Sequence, residues 1–142
     1  MPRGANKETE REAVEIVRAE EFAKGWKPGP QLAQSAQARE GCDFLSAPPE
    51  GGPPLAVEVK GWGEPMFGAG GRPLDKADIN TEQMERAKAD PNWRLEIVAN
   101  LTAARAGRGQ PQRLTLTATQ VVARARPWRY RVDLDGLADH VL

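Results

Sequence analysis

An α/β domain with a central mixed sheet of four or five strands flanked by helices is the fold class this sequence predicts, and three stretches carry the prediction. Between Glu8 and Gly25, the apolar residues Ala13, Val14, Ile16, Val17, Ala19, Phe22 and Ala23 recur at spacings of three and four, as on a helix with one buried stripe. From Leu55 to Lys60, Leu55, Val57 and Val59 alternate with Ala56, Glu58 and Lys60, the period-two pattern of a strand. Trp93 to Leu101 is a dense run of apolar and β-favouring residues that reads as a third core element.

The helix over Glu8–Gly25 has Thr9 as candidate N-cap with Glu12 three residues on, a capping-box spacing, and Gly25 followed by Pro28 as its stop. Lys27 to Arg39 carries weak signals, with Gln31–Ala36 open to reading as a short strand or an irregular approach to the sheet. Gly41–Ser46 reads as a strand, and the proline- and glycine-rich run Ala47–Pro54 turns it into the Leu55–Lys60 strand as an antiparallel hairpin. Gly61–Ala77 is glycine-rich and predicts a loop. Asn80–Ala89 predicts a helix capped by Asp78 or Asn80 and ended by Pro91. Beyond the Trp93–Leu101 strand come a polar loop over Ala103–Gln112, a short helix over Thr119–Arg124 and a final strand over Trp128–Leu134.

The whole chain of 142 residues fits one domain, with a core at about 8–101 and an extension at 102–142. Twenty basic and twenty acidic side chains give no net charge, so the strongly basic balance of the simplest nucleic-acid binders is excluded, while a local basic surface beside an acidic site is not. The lone Cys42 has no intramolecular disulfide partner, and no stretch resembles a signal peptide or a membrane span. The resulting expectation is a cytoplasmic protein without a membrane partner.

Chemistry concentrates on the predicted hairpin. Glu58 and Lys60, two apart on a strand, project from one face, opposite Val57 and Val59. Asp43, two residues after Gly41 on the preceding strand, can lie alongside Glu58 across the sheet. Two adjacent carboxylates repel unless a cation sits between them, and their hard oxygens suit Mg²⁺ or Mn²⁺. Such an ion can hold a phosphate oxygen and acidify a water, while Lys60 steadies the charge that builds on phosphorus oxygens. The bland alternative for Glu58 and Lys60 is an exposed, solubilising charge pair on a strand edge.

The order helix, Gly41-Cys42-Asp43-Phe44, Val57-Glu58-Val59-Lys60-Gly61 resembles the PD-(D/E)xK nuclease superfamily, whose fold is restriction-endonuclease-like. With Glu15, Glu21, Gly25-Trp26 and Thr81-Glu82 added, residues 12–101 are similar to one branch, the domain of unknown function at the C-terminus of the plant protein NO VEIN and in bacterial helicase and defence proteins. Cys42 departs from the aromatic residue usual in that branch, and Thr81 from its Asn. The resemblance implies Asp43 and Glu58 as metal ligands and Lys60 as the catalytic lysine. It also implies an acidic residue on the first helix, where spacing back from Gly25 favours Glu15 over Glu12. Glu82 and Gln83 would support the site from the following helix, although Glu82 also suits a helix first turn for its charge alone.

The implied activity is Mg²⁺- or Mn²⁺-dependent hydrolysis of DNA phosphodiesters in restriction, defence or repair, with RNA left open as substrate. The rival expectations are a non-catalytic nucleic-acid-binding or scaffold domain, and a subunit active only with a helicase or specificity partner; a homodimer is compatible with each. Trp62, beside the site, is a candidate base-stacking contact. Arg105 and Arg108 are candidate phosphate contacts, within a basic C-terminal set that also holds Arg113, Arg124, Arg126, Arg129 and Arg131.

Overall fold

The computed structural model describes residues 3–66, 76–126, 131–134, 136–137 and 140–141. Its centre is a five-stranded mixed sheet of β1 (Lys27–Pro28), β2 (Phe44–Ala47), β3 (Leu55–Gly61), β5 (Trp93–Ala99) and β6 (Gln112–Thr117), in that spatial order. Only β3 and β5 run parallel; the β1–β2, β2–β3 and β5–β6 neighbours are antiparallel. Helices α1 (Arg3–Ala23), α2 (Gln34–Glu40), α3 (Thr81–Ala89), α4 (Leu101–Arg105) and α5 (Ala118–Arg124) surround it, and β4 (Lys76–Asp78), β7 (Ala125–Arg126) and β8 (Arg131–Asp133) form a second, three-stranded sheet. The α/β class and the flanked mixed sheet agree with the sequence expectation.

Two apolar layers enclose the main sheet. On one face Ala13, Val14 and Val17 of α1 pack on Phe44, Leu55, Val57, Val59, Val98 and Leu101. On the other, Ala56, Leu95, Ile97, Leu114 and Leu116 meet Met84 and Ala87 of α3, Val121 of α5 and Val132 of β8. β3 is therefore covered on both faces, and the face opposite Val57 and Val59, which carries Glu58, is buried rather than solvated.

Several elements differ from expectation. α1 starts at Arg3, so Thr9 lies inside the helix and the Thr9–Glu12 capping box does not form. Its apolar residues make no single stripe: Ala13, Val14 and Val17 are buried, whereas Ala19 and Ala23 are exposed and Phe22 is 74% exposed. Gln34–Glu40 is helical, closed by Gly41 with φ +67, where only glycine sits without strain and where a Cβ would stand 2.6 Å from the Glu82 carbonyl oxygen. α4 occupies the start of the expected 103–112 loop. β6 falls between two predicted elements; Arg113 and Thr115 take one of its faces, Leu114 and Leu116 the other. α3 is capped by Asn80, whose side chain accepts from the Gln83 N–H while the Gln83 side chain accepts from the Asn80 N–H. The expected last strand is represented by β8; Trp128, Arg129 and Tyr130 lie outside the described residues. Among the described residues, no helix is long and apolar enough to cross a membrane.

Candidate metal centre

The β2–β3 hairpin brings Asp43 to Glu58. Phe44 pairs with Val57 and Leu45 with Ala56, so the next step of the antiparallel register sets Asp43 opposite Glu58. The ladder changes character there: Asp43 N–H still donates to the Val57 carbonyl at 2.8 Å, but the Val59 N–H donates to Asp43 Oδ2, at 2.7 Å, rather than to a strand carbonyl. That bond fixes the carboxylate at the point where β2 leaves β3. Both acids are buried, Asp43 at 1% exposure and Glu58 at 2%.

A third carboxylate arrives from α1, and it belongs to Glu10. One oxygen from each of Glu10, Asp43 and Glu58 lies within 4.8 Å of the other two. At about 100° per residue, Glu10 shares the inward direction of Ala13, Val14 and Val17, while Glu12 and Glu15 point well away from it. The expected helix acid therefore differs from the observed one. Glu15 is exposed and pairs with Arg18 at 3.0 Å, and Glu12 pairs with Arg105 at 2.7 Å. Lys60 Nζ stands 3.2 Å from Glu58 Oε2, on the partly exposed side of the cluster.

The other candidates spread out. Gln83 is spent on the cap of α3, and Glu82 sits exposed in that helix's first turn, where its charge suits the helix N-terminus. Trp62 continues the line of Glu58 and Lys60 beyond β3; its ring is half-buried, and its Nε1–H is covered without a hydrogen-bond partner. Arg105 is tied to Glu12, and Arg108 is exposed just beyond α4. Of the C-terminal arginines, Arg113 is buried in an ion network with Glu20 and Glu96, so a phosphate role for it is ruled out by its surroundings.

The donor set fits a hard divalent cation: three carboxylate oxygens, with no imidazole or thiolate among them, suit Mg²⁺ or Mn²⁺ far better than Zn²⁺. Burial also shapes the acidity of these groups. Burial pushes Asp43 up to about 6, although the Val59 N–H and Lys60 pull it down. Burial first, and then the Asp43 charge, push Glu58 up to about 8, against the pull of Lys60.

Both groups are thus weaker acids folded than unfolded, where 3.8 and 4.5 apply. Their contribution to stability is complete below about pH 4 and is lost as pH rises through 6 and 8, at about 1.4 kcal/mol for each tenfold difference in acidity. Urea unfolding in EDTA is expected to give lower stability at pH 8 than at pH 5, and Glu58→Gln to flatten that slope. Mn²⁺ bound at the cluster is expected to restore the loss at pH 8 and to release protons on binding. A flat profile for the wild type in EDTA would show that the carboxylates are compensated without a cation.

Compared with models of known protein families, with curated proteins and with solved structures, the chain finds no match.

Proposed function

We propose that this protein is a Mg²⁺- or Mn²⁺-dependent nuclease that hydrolyses phosphodiester bonds of DNA. The observation that carries this reading is the convergence of Glu10, Asp43 and Glu58 at one point with Lys60 against it. Two buried carboxylates and a half-buried third, brought from α1, the start of β2 and β3, are costly to assemble, and a cation offsets that cost. When bound, the metal polarises a phosphate oxygen and lowers the pKa of a water.

The chain's own groups supply the rest. Asp43 is oriented by the Val59 N–H, and Glu58 by its place within β3, so their oxygens need little reorganisation. Lys60 reaches from Glu58 toward the open side, where an ammonium can orient an attacking water and stabilise negative charge on the phosphate. Glu10 rides on a helix anchored by Ala13, Val14 and Val17, which sets its depth over the site.

The test is cleavage of supercoiled plasmid and of single-stranded DNA in Mg²⁺ or Mn²⁺. Asp43→Asn, Glu10→Gln and Lys60→Ala are each expected to lower the rate by about a hundredfold or more. Glu15→Gln is expected to cut like the wild type, because that carboxylate faces Arg18 and solvent. A wild type that cuts neither substrate and binds no Mn²⁺ by calorimetry would overturn the reading.

A further inference from the structure

Directly beside Lys60 lies a pocket of about 350 Å³, lined by Thr9 and Glu10 of α1, Lys60 of β3, Trp62 and Glu64 of the segment leaving it, and Thr102 of α4. Glu10 and Lys60 belong both to this pocket and to the carboxylate cluster, so its occupant would lie against the reacting centre. We propose that the pocket receives the nucleobase next to the scissile phosphate, so that the substrate is a strand whose nucleotide there has left its stack. This proposal rests on the nuclease reading and names its substrate class: single strands, frayed ends or extruded bases rather than intact duplex.

Charge selects the occupant. Among the described lining residues the charged ones are Glu10, Glu64 and Lys60; Glu10 turns to the carboxylate cluster and Lys60 pairs with Glu58, which leaves Glu64 to the pocket. Glu64 disfavours a backbone phosphate in that lining, whereas an uncharged base is not repelled, and its amino hydrogens find a carboxylate acceptor in Glu64. Trp62 adds an aromatic face, the sequence-tolerant platform on which unpaired bases stack.

The wall is also built in advance. Trp62 N–H donates to the Val98 carbonyl at 2.9 Å, which prolongs the pairing with β5. The N–H groups of Asn100, Leu101 and Thr102 donate to the carbonyls of Glu64, Trp62 and Gly63 at 2.8, 3.3 and 3.0 Å. Asn100 takes a left-handed conformation, φ 61, to make this turn. A wall fixed by four backbone bonds spends little entropy on binding. A base inside a duplex reaches the pocket only by unpairing and unstacking, which disfavours intact double strands.

The experiment uses Asp43→Asn protein, whose substitution lies outside the pocket, and an oligonucleotide carrying 2-aminopurine, offered single-stranded or in perfect duplex with Mn²⁺. Binding of the single strand is expected to change the probe's emission as it leaves its neighbours for Trp62, and the duplex to bind more weakly without that change. Adding Trp62→Leu is expected to weaken single-strand binding roughly 5- to 150-fold, and Trp62→Phe to retain most of it. Equal binding of both forms, or single-strand binding indifferent to Trp62→Leu, would overturn the proposal. Should Trp62→Leu fail to fold, the emission change and Trp62→Phe decide alone. A wild type that cuts DNA while these binding results fail sinks the pocket only; one that binds single strands as expected yet cuts nothing sinks the nuclease reading and leaves the base pocket standing.

Discussion

Replacing Arg113 with alanine is expected to lower folding stability by roughly 3–5 kcal/mol, enough to drop the melting temperature by on the order of 10 °C. The guanidinium, 9% exposed, ties three parts of the fold together. It donates to Glu20 of α1 at 2.8 to 3.0 Å, to the Ile97 carbonyl of β5 at 2.6 Å and to Glu96 Oε1 at 2.7 Å. Thr115 Oγ1 donates to the same Glu96 oxygen at 2.6 Å. Glu96 is 2% exposed, and without Arg113 the nearest described cation left to it is Arg94, 3.9 Å from Oε2. The cost is that of stranding a buried charge rather than of losing an attraction. The double variant Arg113→Met with Glu96→Leu is therefore expected to recover most of the loss, since it removes both charges together. Urea unfolding with an unchanged slope checks the size, and Mn²⁺ affinity of the folded protein should not move, because this network lies at the other end of α1 from Glu10. A double variant no better than the single one would mean that Arg113 acts through packing alone.

The same network explains why α1 was only half legible in the sequence. Its inward stripe runs Glu10, Ala13, Val14, Val17, Glu21, which about 100° per residue brings within one sector roughly 100° wide. Both ends of that stripe are glutamates. Glu10 joins the carboxylate cluster, and Glu21, 3% exposed, sits 4.0 Å from Arg94 with its carboxyl pushed upward by burial. A reading of apolar spacing stops at Val17 and collects Phe22 instead, which faces out at 74% exposure. Angular bookkeeping from Ala13, Val14 and Val17 would have singled out Glu10; spacing back from Gly25 pointed to Glu15.

Elsewhere the difference between what was and was not legible follows the solvent. Asp43, Glu58 and Lys60 stood out because period-two alternation and a proline-rich turn set the hairpin's faces, and the register of Phe44 with Val57 agrees with them. β6 did not stand out, because Arg113 and Thr115 turn its polar face into ion pairs and hydrogen bonds rather than water. The pocket beside Trp62 is formed by Thr9, Glu64 and Thr102, far apart in sequence and joined only by the α4 turn and the crossing of α1, so no local pattern announces it.

That crossing yields the second large effect. Gly61→Ala is expected to weaken Mn²⁺ binding by roughly tenfold or more while costing about 1–3 kcal/mol of stability. A Cβ at Gly61 would stand 2.8 Å from the Thr9 carbonyl oxygen, 3.2 Å from its carbon and 3.1 Å from Ala13 Cβ. These atoms belong to the backbone and first side-chain carbon of α1, so no rotamer change relieves the contact; the helix itself must move. Glu10 is the residue after Thr9, and moving α1 outward draws its carboxylate from Asp43 and Glu58, which stay with the sheet. Gly63→Ala supplies the contrast: its Cβ would meet Thr102 Oγ1 at 2.7 Å, the end of a side chain that can turn aside, so the metal affinity should hold. Calorimetric Mn²⁺ titration of the two variants separates the cases. Wild-type affinity in Gly61→Ala would show that Glu10 is dispensable as a ligand, whereas weakening confined to Gly61→Ala ties the glycine after Lys60 to the depth at which α1 delivers the third carboxylate.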